Sequence, residues 1–198
     1  DSLQGIATML YIEMLKNGYT SVAEFHYLHH DKDGNKYSNV SELGERLLIA
    51  AKDAGIHITL VPIFYNKGGF QKKHEPEQKR FISHNSQEYI HLFEKTLETA
   101  EKYKSNVGIG AHSIRAVDEK MLGEINDYNK GKYPFHFHIA EQIKEVDESK
   151  KYLGQTPVEW LYNNFEIGIN HHLVHATHLT EKETKLICSN NSNIILCP

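Results

Sequence analysis

Cysteine is scarce in this sequence. Cys188 and Cys197 are the only two, and they lack the CxxC spacing of a metal or thiol–disulfide motif. They read as reduced, mostly packed thiols of a cytoplasmic protein. No apolar run approaches the length of a membrane span, and no signal peptide is recognisable. The net charge of -4 gives no basic excess for nucleic acid or an anionic membrane. No strand-like segment is followed by GxGxxG, so a dinucleotide fold has no support. Repeats, low-complexity tracts and linkers are also missing. What is present is a 198-residue chain, 39% hydrophobic and 24% charged, enough for one globular domain with a real core. Asp1 runs straight into a helical pattern, and Pro198 ends the strand-like "NIILCP". The expectation is a single domain, residues 1–198, that is the central part of a longer chain truncated at both ends.

Strand-like and helix-like segments alternate. Helices are expected over 2–17, 41–53, 85–104, 118–129, 142–152, 157–165 and 180–189. Ser41, Asp118 and Thr156 stand at N-cap positions, and Thr180 with Glu183 forms a capping box. Gly18 and Gly55 are natural stops. Strands are expected over 20–26, 57–64, 107–112, 135–140, 172–176 and 193–197. This order implies an α/β fold of parallel strands with helices outside. A doubly wound sheet and a (β/α)8 barrel both fit. The strand ends favour the barrel: His26 and Tyr27, Tyr65, His112, His138 with Glu141, and His175 with His178 all fall at C-terminal ends. A barrel gathers such ends into one mouth.

The stretch "FHFHIAEQ" puts His136 and His138 on one strand face, with Glu141 three residues beyond. It reads as a two-histidine metal clamp, a single ligand with a bystander, or a strand that merely contains histidines. Its neighbours raise the odds of chemistry. "GAHSIR" supplies His112 and Arg115, and "LVHATH" supplies His175 and His178. Neutral imidazole suits a divalent metal, and a nearby carboxylate can carry protons. Arg115 suits bidentate grip of a carboxylate or phosphate. In "EFHYLHH", Tyr27 can offer a hydroxyl to substrate, while His29 and His30 read as loop residues. "DKDGNK" reads as a solvated turn, because Gly34 is too early for a calcium loop. Residues 65–80 form a long polar loop with Gly68-Gly69, either a lid or a mobile surface segment.

Together these motifs resemble the amidohydrolase superfamily of metal-dependent deaminases. Within it, "GYTSVAEFHYLHHD", "GIGAHSIRAV", "HFHIAEQ", "LVHATHLT" and "LCP" are most similar to the formimidoylglutamate deiminases, in that family's order and over essentially the whole chain. HxAE alone marks only the deaminases; "AEFHYLHH" and "AHSIRAV" are more specific. The resemblance implies a partial (β/α)8 TIM barrel of the metal-dependent hydrolase type, with barrel strands two to seven in this chain. It implies one zinc ion per active site, with His138 as a ligand. It implies Glu141 as general acid/base and His175 beside the attacking water. His112 and Arg115 would hold the glutamate part of the substrate, and Tyr27 would touch it. His26, His136 and His178 receive no certain role beyond support or packing.

The family's first-strand HxH and eighth-strand aspartate are not in this chain, and are expected before Asp1 and after Pro198. The implied reaction is hydrolysis of N-formimidoyl-L-glutamate to N-formyl-L-glutamate and ammonia, in histidine degradation. Two other readings stay open: a deaminase of a purine or other amino-heterocycle, and an inactive barrel kept for binding. The expected partner is a small-molecule substrate in the cytoplasm, without nucleic acid or membrane. Analogy with the superfamily adds a homodimer. Alone, the chain is expected to show little activity and poor metal retention.

Overall fold

The computed structural model describes residues 2–197. They form two compact units, Asp1–Ile63 with Pro76–Gly108, and Phe64–Glu75 with Ile109–Pro198. The first unit runs through α1 (Ser2–Lys16), β1 (Ser21–His26), α2 (Glu42–Ala54), β2 (His57–Phe64), a 3-10 turn at Pro76–Arg80, α3 (Ser86–Lys102) and β3 (Asn106–Val107). β1 and β3 both pair with β2 in parallel, and His26 lies opposite Pro62. β2 is the centre of this unit's core: Leu60, Val61 and Ile63 are almost completely buried. The Tyr89 hydroxyl of α3 donates to the Pro62 carbonyl at 2.8 Å. A buried phenol and a buried strand carbonyl satisfy each other in this way.

The second unit contains the 64–75 loop, β4 (Ile109–Ala111), α4 (Glu119–Asn129), β5 (Phe135–Ile139), α5 (Ile143–Leu153), α6 (Pro157–Asn164), β6 (His171–His175), α7 (Glu181–Ser189) and β7 (Asn193–Ile195). β4, β5, β6 and β7 pair in that order, all parallel. β4 is buried along its whole length, and β5 and β6 bury most of theirs even though histidine alternates with phenylalanine in β5. Phe135, Ile139, Ile109 and Leu173 are buried completely. Leu122 and Ile125 of α4, three residues apart, turn one helix face inward, and Leu161 and Val158 do the same in α6. Each unit is therefore of the α/β class, the class expected for a partial (β/α)8 barrel.

Helix starts follow the sequence closely. The Asp118 carboxylate accepts from the amides of Lys120 and Met121. Thr180 and Glu183 complete the capping box. Thr156 stands at the N-cap, but its hydroxyl donates to Glu159 instead of capping. Ser41 likewise turns away, toward Asn39 and Thr99. α3 begins one residue later than expected because Asn85 is its cap and accepts from the Glu88 amide. Gly55 ends α2 at φ +87°, a left-handed value that only glycine adopts without cost.

Two expectations need correction, and the loop placement of His29 and His30 holds with an addition. The strand expected over 107–112 is broken at Gly108. The Gly108 amide donates to the Leu60 carbonyl, whereas the next amide, Ile109, donates to Pro134. His29 and His30 lie in a loop but are buried. Their Nε2–H groups donate to the carbonyls of Ile63 and Ile82 at 3.0 and 2.9 Å. Cys188 and Cys197 are exposed thiols, not packed ones. Cys188 falls on the solvent side of α7, and Cys197 follows the short β7. "DKDGNK" is a closed polar turn, with the Asp31 carboxylate accepting from Asp33 and Asn35. Among the described residues no helix is long and apolar enough to cross a membrane. Pro198 lies outside the described residues.

Candidate active site

Three strand ends of the second unit carry a row of imidazoles. His112 follows β4, His138 is the penultimate residue of β5, and His175 ends β6. Parallel pairing sets Ala111 opposite Phe137 and His138 opposite Val174, so the three histidines come level. The ring centroids of His112 and His138 are 5.2 Å apart, and those of His138 and His175 are 5.5 Å apart. Tyr65 extends the row, its ring edge-on to His112 at 4.8 Å.

One backbone atom orders the middle of this row. The His112 carbonyl accepts the backbone amide of His138 at 3.0 Å and its ring Nδ1–H at 2.8 Å. With the proton fixed on Nδ1, the lone pair of the neutral ring is on Nε2. Burial holds the His138 pKa below the ordinary imidazole value, so the ring is neutral near pH 7. That protonation state and tautomer fit a metal ligand. Burial, then the positive Arg115, pushes His112 down to about 3. His136 does not share this surface. It is buried, its Nδ1–H donates to the Ile109 carbonyl, and its ring stacks on His172 at 4.6 Å. The two-histidine clamp is therefore not formed by His136 and His138. Among the described residues no three histidine, cysteine, aspartate or glutamate side chains come together as a metal site.

The turns after β5 and β6 are held in an unusual backbone conformation. Ala140, His175 and Ala176 have φ values of 49°, 72° and 46°. Left-handed backbone costs a non-glycine residue on the order of 1 kcal/mol and collects where function demands a particular direction. Here the two turns brace each other: the Ala176 amide donates to Ile139, and the His178 amide to Ala140, both at 3.0 Å. The turn at Ala140 sends Glu141 back toward the histidine row. Its Oε1 lies 3.8 Å from His175 Nε2, just beyond hydrogen-bond length. Half of the His178 side chain is covered, and only its amide enters this bracing.

Glu141 and Arg115 share a cavity of about 190 Å³, lined also by Gly69, Phe70, Lys72 and Glu145. Arg115 is half-buried, and no described residue gives its guanidinium a hydrogen bond or ion pair. The 65–80 loop supplies Gly69, Phe70 and Lys72, and Gly69 bridges to Lys72 in a tight reversal. Phe70 stacks on Tyr152 of α5 at 5.8 Å. The sequence reading passed over Phe70, Tyr152 and Glu145. For Glu145 a signal existed, an acidic residue in the first helical turn after "HIAE". Tyr27 belongs to the first unit, where its ring meets Phe81 edge-on. His26 is buried there beside His29, and burial holds its pKa well down.

These buried neutral rings make stability depend on pH. The folded values of His29 and His136 are about 4 and that of His112 about 3, against 6.5 for a free ring. The unfolded chain then takes up protons first as pH falls. Stability is full above the free-ring value and is lost on acidification toward pH 4. Between pH 7 and 5 each ring should remove on the order of 1 kcal/mol. Denaturant midpoints at the two pH values measure this; an unchanged midpoint would contradict it.

A model of the family described as "Amidohydrolase family" matches residues 4–198. The formimidoylglutamate deiminase of Pseudomonas aeruginosa is 40% identical over 198 residues, which cover all of this chain and 44% of that protein. The crystal structure of an amidohydrolase from Brucella melitensis superposes with a TM-score of 0.94 at 38% identity, over 98% of this chain and 44% of that one. An adenosine deaminase from Xanthomonas campestris with bound zinc superposes at 0.68 and 18% identity, covering 100% and 39%, a likeness in fold alone. The chain thus spans less than half the length of the relatives it matches.

Proposed function

Because this chain belongs to the amidohydrolase family, we propose that the protein carrying it is a zinc-dependent deiminase of N-formimidoyl-L-glutamate. The observation that carries the reading is the half-buried Arg115, which makes no hydrogen bond or ion pair among the described residues, sharing one cavity with Glu141, itself beside His175. A guanidinium with donors to spare in a polar cavity suits a carboxylate. The 40% identical relative named for that activity supports the choice of substrate.

The reaction adds water to the formimidoyl carbon and releases its terminal nitrogen as ammonia, leaving N-formyl-L-glutamate. His138 would be one zinc ligand, with the others supplied from beyond these residues, since zinc takes three or more protein ligands. Zinc, when bound, supplies a nucleophile from water near neutral pH. Glu141 takes the proton that water gives up and delivers it to the terminal nitrogen, so the C–N bond breaks with ammonia as the leaving group. His175, next to Glu141, orients the attacking water. Arg115 and His112 hold the glutamate end, so binding energy remote from the reacting carbon aligns it. Tyr27 would add a hydroxyl contact. The expected setting is the cytoplasm, in histidine degradation, as a homodimer without nucleic acid or membrane.

The test is ammonia release from N-formimidoyl-L-glutamate by the full-length protein loaded with zinc. No release, or faster release from an aminopurine, would overturn the reading. An aminopurine needs no carboxylate grip, so Arg115 argues against that alternative. The 198-residue chain alone should keep less than one zinc per chain after dialysis, because it contributes a single ligand. Stoichiometric zinc by mass spectrometry would contradict this.

A further inference from the structure

Glu145 takes no part in the reaction described above, yet its carboxyl group is almost fully buried at 6% exposure. It stands in the first turn of α5, four residues after Glu141. Its Oε2 accepts the backbone amide of Glu141, the residue that follows left-handed Ala140, at 3.1 Å. Its Oε1 has no hydrogen-bond partner among the described residues. Burial pushes this carboxyl up, while the Glu141 amide and the nearby Arg115 oppose that push. Burying a carboxylate without an ion pair is costly.

The amide that Glu145 holds stands at a special place, directly after left-handed Ala140, which redirects the chain at Glu141. We propose that Glu145 is a positioning residue, a clamp that fixes the turn at Ala140 and so aims the Glu141 carboxylate at the reacting nitrogen. The proposal rests on Glu141 as the proton carrier. Without the clamp, the alanine relaxes toward ordinary right-handed backbone, and Glu141 swings toward solvent. The carboxylate oxygen, rather than the charge, performs this task, so a glutamine at 145 can replace it.

The experiment compares Glu145→Ala and Glu145→Gln in the full-length zinc-loaded protein. Glu145→Ala should lower kcat by about 10- to 100-fold with KM little changed, because a small misplacement of a reacting group has that effect. Glu145→Gln should keep kcat within about threefold of the parent. Residue-resolved hydrogen exchange reads the clamp without any activity: the Glu141 amide should exchange about tenfold faster in the alanine variant, and not in the glutamine variant. Unchanged kcat in Glu145→Ala overturns the proposal, whatever exchange shows. So does unchanged exchange at Glu141. A purely structural role would instead speed exchange throughout α5, lower the melting temperature in proportion, and leave the kcat-to-KM split absent. If the parent releases no ammonia, or Glu141→Gln keeps full activity, the reading of the reaction fails. Exchange at Glu141 then still decides whether the clamp exists.

Discussion

Glu141→Gln in the full-length protein is expected to lower kcat for ammonia release by about 10²- to 10⁴-fold, the range that one positioned proton carrier contributes. The replacement keeps the shape of the side chain and its place beside His175. It removes only the capacity to pick up a proton and hand it on. KM for N-formimidoyl-L-glutamate should therefore stay close to that of the parent, because the glutamate end is held elsewhere, at Arg115. Zinc content should also be unchanged, since the reading gives Glu141 no ligand role. Steady-state ammonia release, with zinc measured on the same preparation, separates these quantities. A variant with kcat within about tenfold of the parent would remove Glu141 from proton transfer.

Arg115→Ala should act on the other end of the substrate. Loss of a charge-assisted, two-pronged hydrogen bond from a half-buried guanidinium should lower kcat/KM by about 10²- to 10³-fold. Arg115→Lys should recover only part, because an ammonium is a point charge and cannot match both carboxylate oxygens. The diagnostic comparison is a small amidine without carboxylates, such as N-propylformamidine. The parent should turn it over slowly, and Arg115→Ala should do no worse. An equal loss on both substrates would mean that Arg115 supports the fold or the proton chemistry, not the carboxylate.

Much of this was legible from the chain because strand and helix leave different imprints. The apolar run of β2 and the caps at Asp118 and Thr180 are local, and local signals survive without a structure. The histidines at 112, 138 and 175 were legible for the same reason: each stands at or just past the C-terminal end of a strand, and parallel strands end on one side. The interruption at Gly108 was not, because a one-residue gap between β3 and β4 is a matter of backbone hydrogen bonding, and composition does not register it. The burial of His29 and His30 was also hidden. Polar residues in a loop look solvated until distant carbonyls, those of Ile63 and Ile82, are found to need donors. Glu145 escaped because a helix-start carboxylate is ordinary in sequence. Its direction, inward and onto the Glu141 amide, is not.

The His112 carbonyl holds the proton position of the His138 ring, and a carbonyl is present whatever amino acid occupies position 112. Mutation can therefore rewrite the side chain there without disturbing the tautomer next door. On the proposed roles, the imidazole of His112 can diverge toward new substrates while the ring of His138 is insulated from that change. Such wiring would separate what the site recognises from how it reacts. Libraries randomised at position 112 should accordingly yield proteins altered in substrate preference that still take up metal.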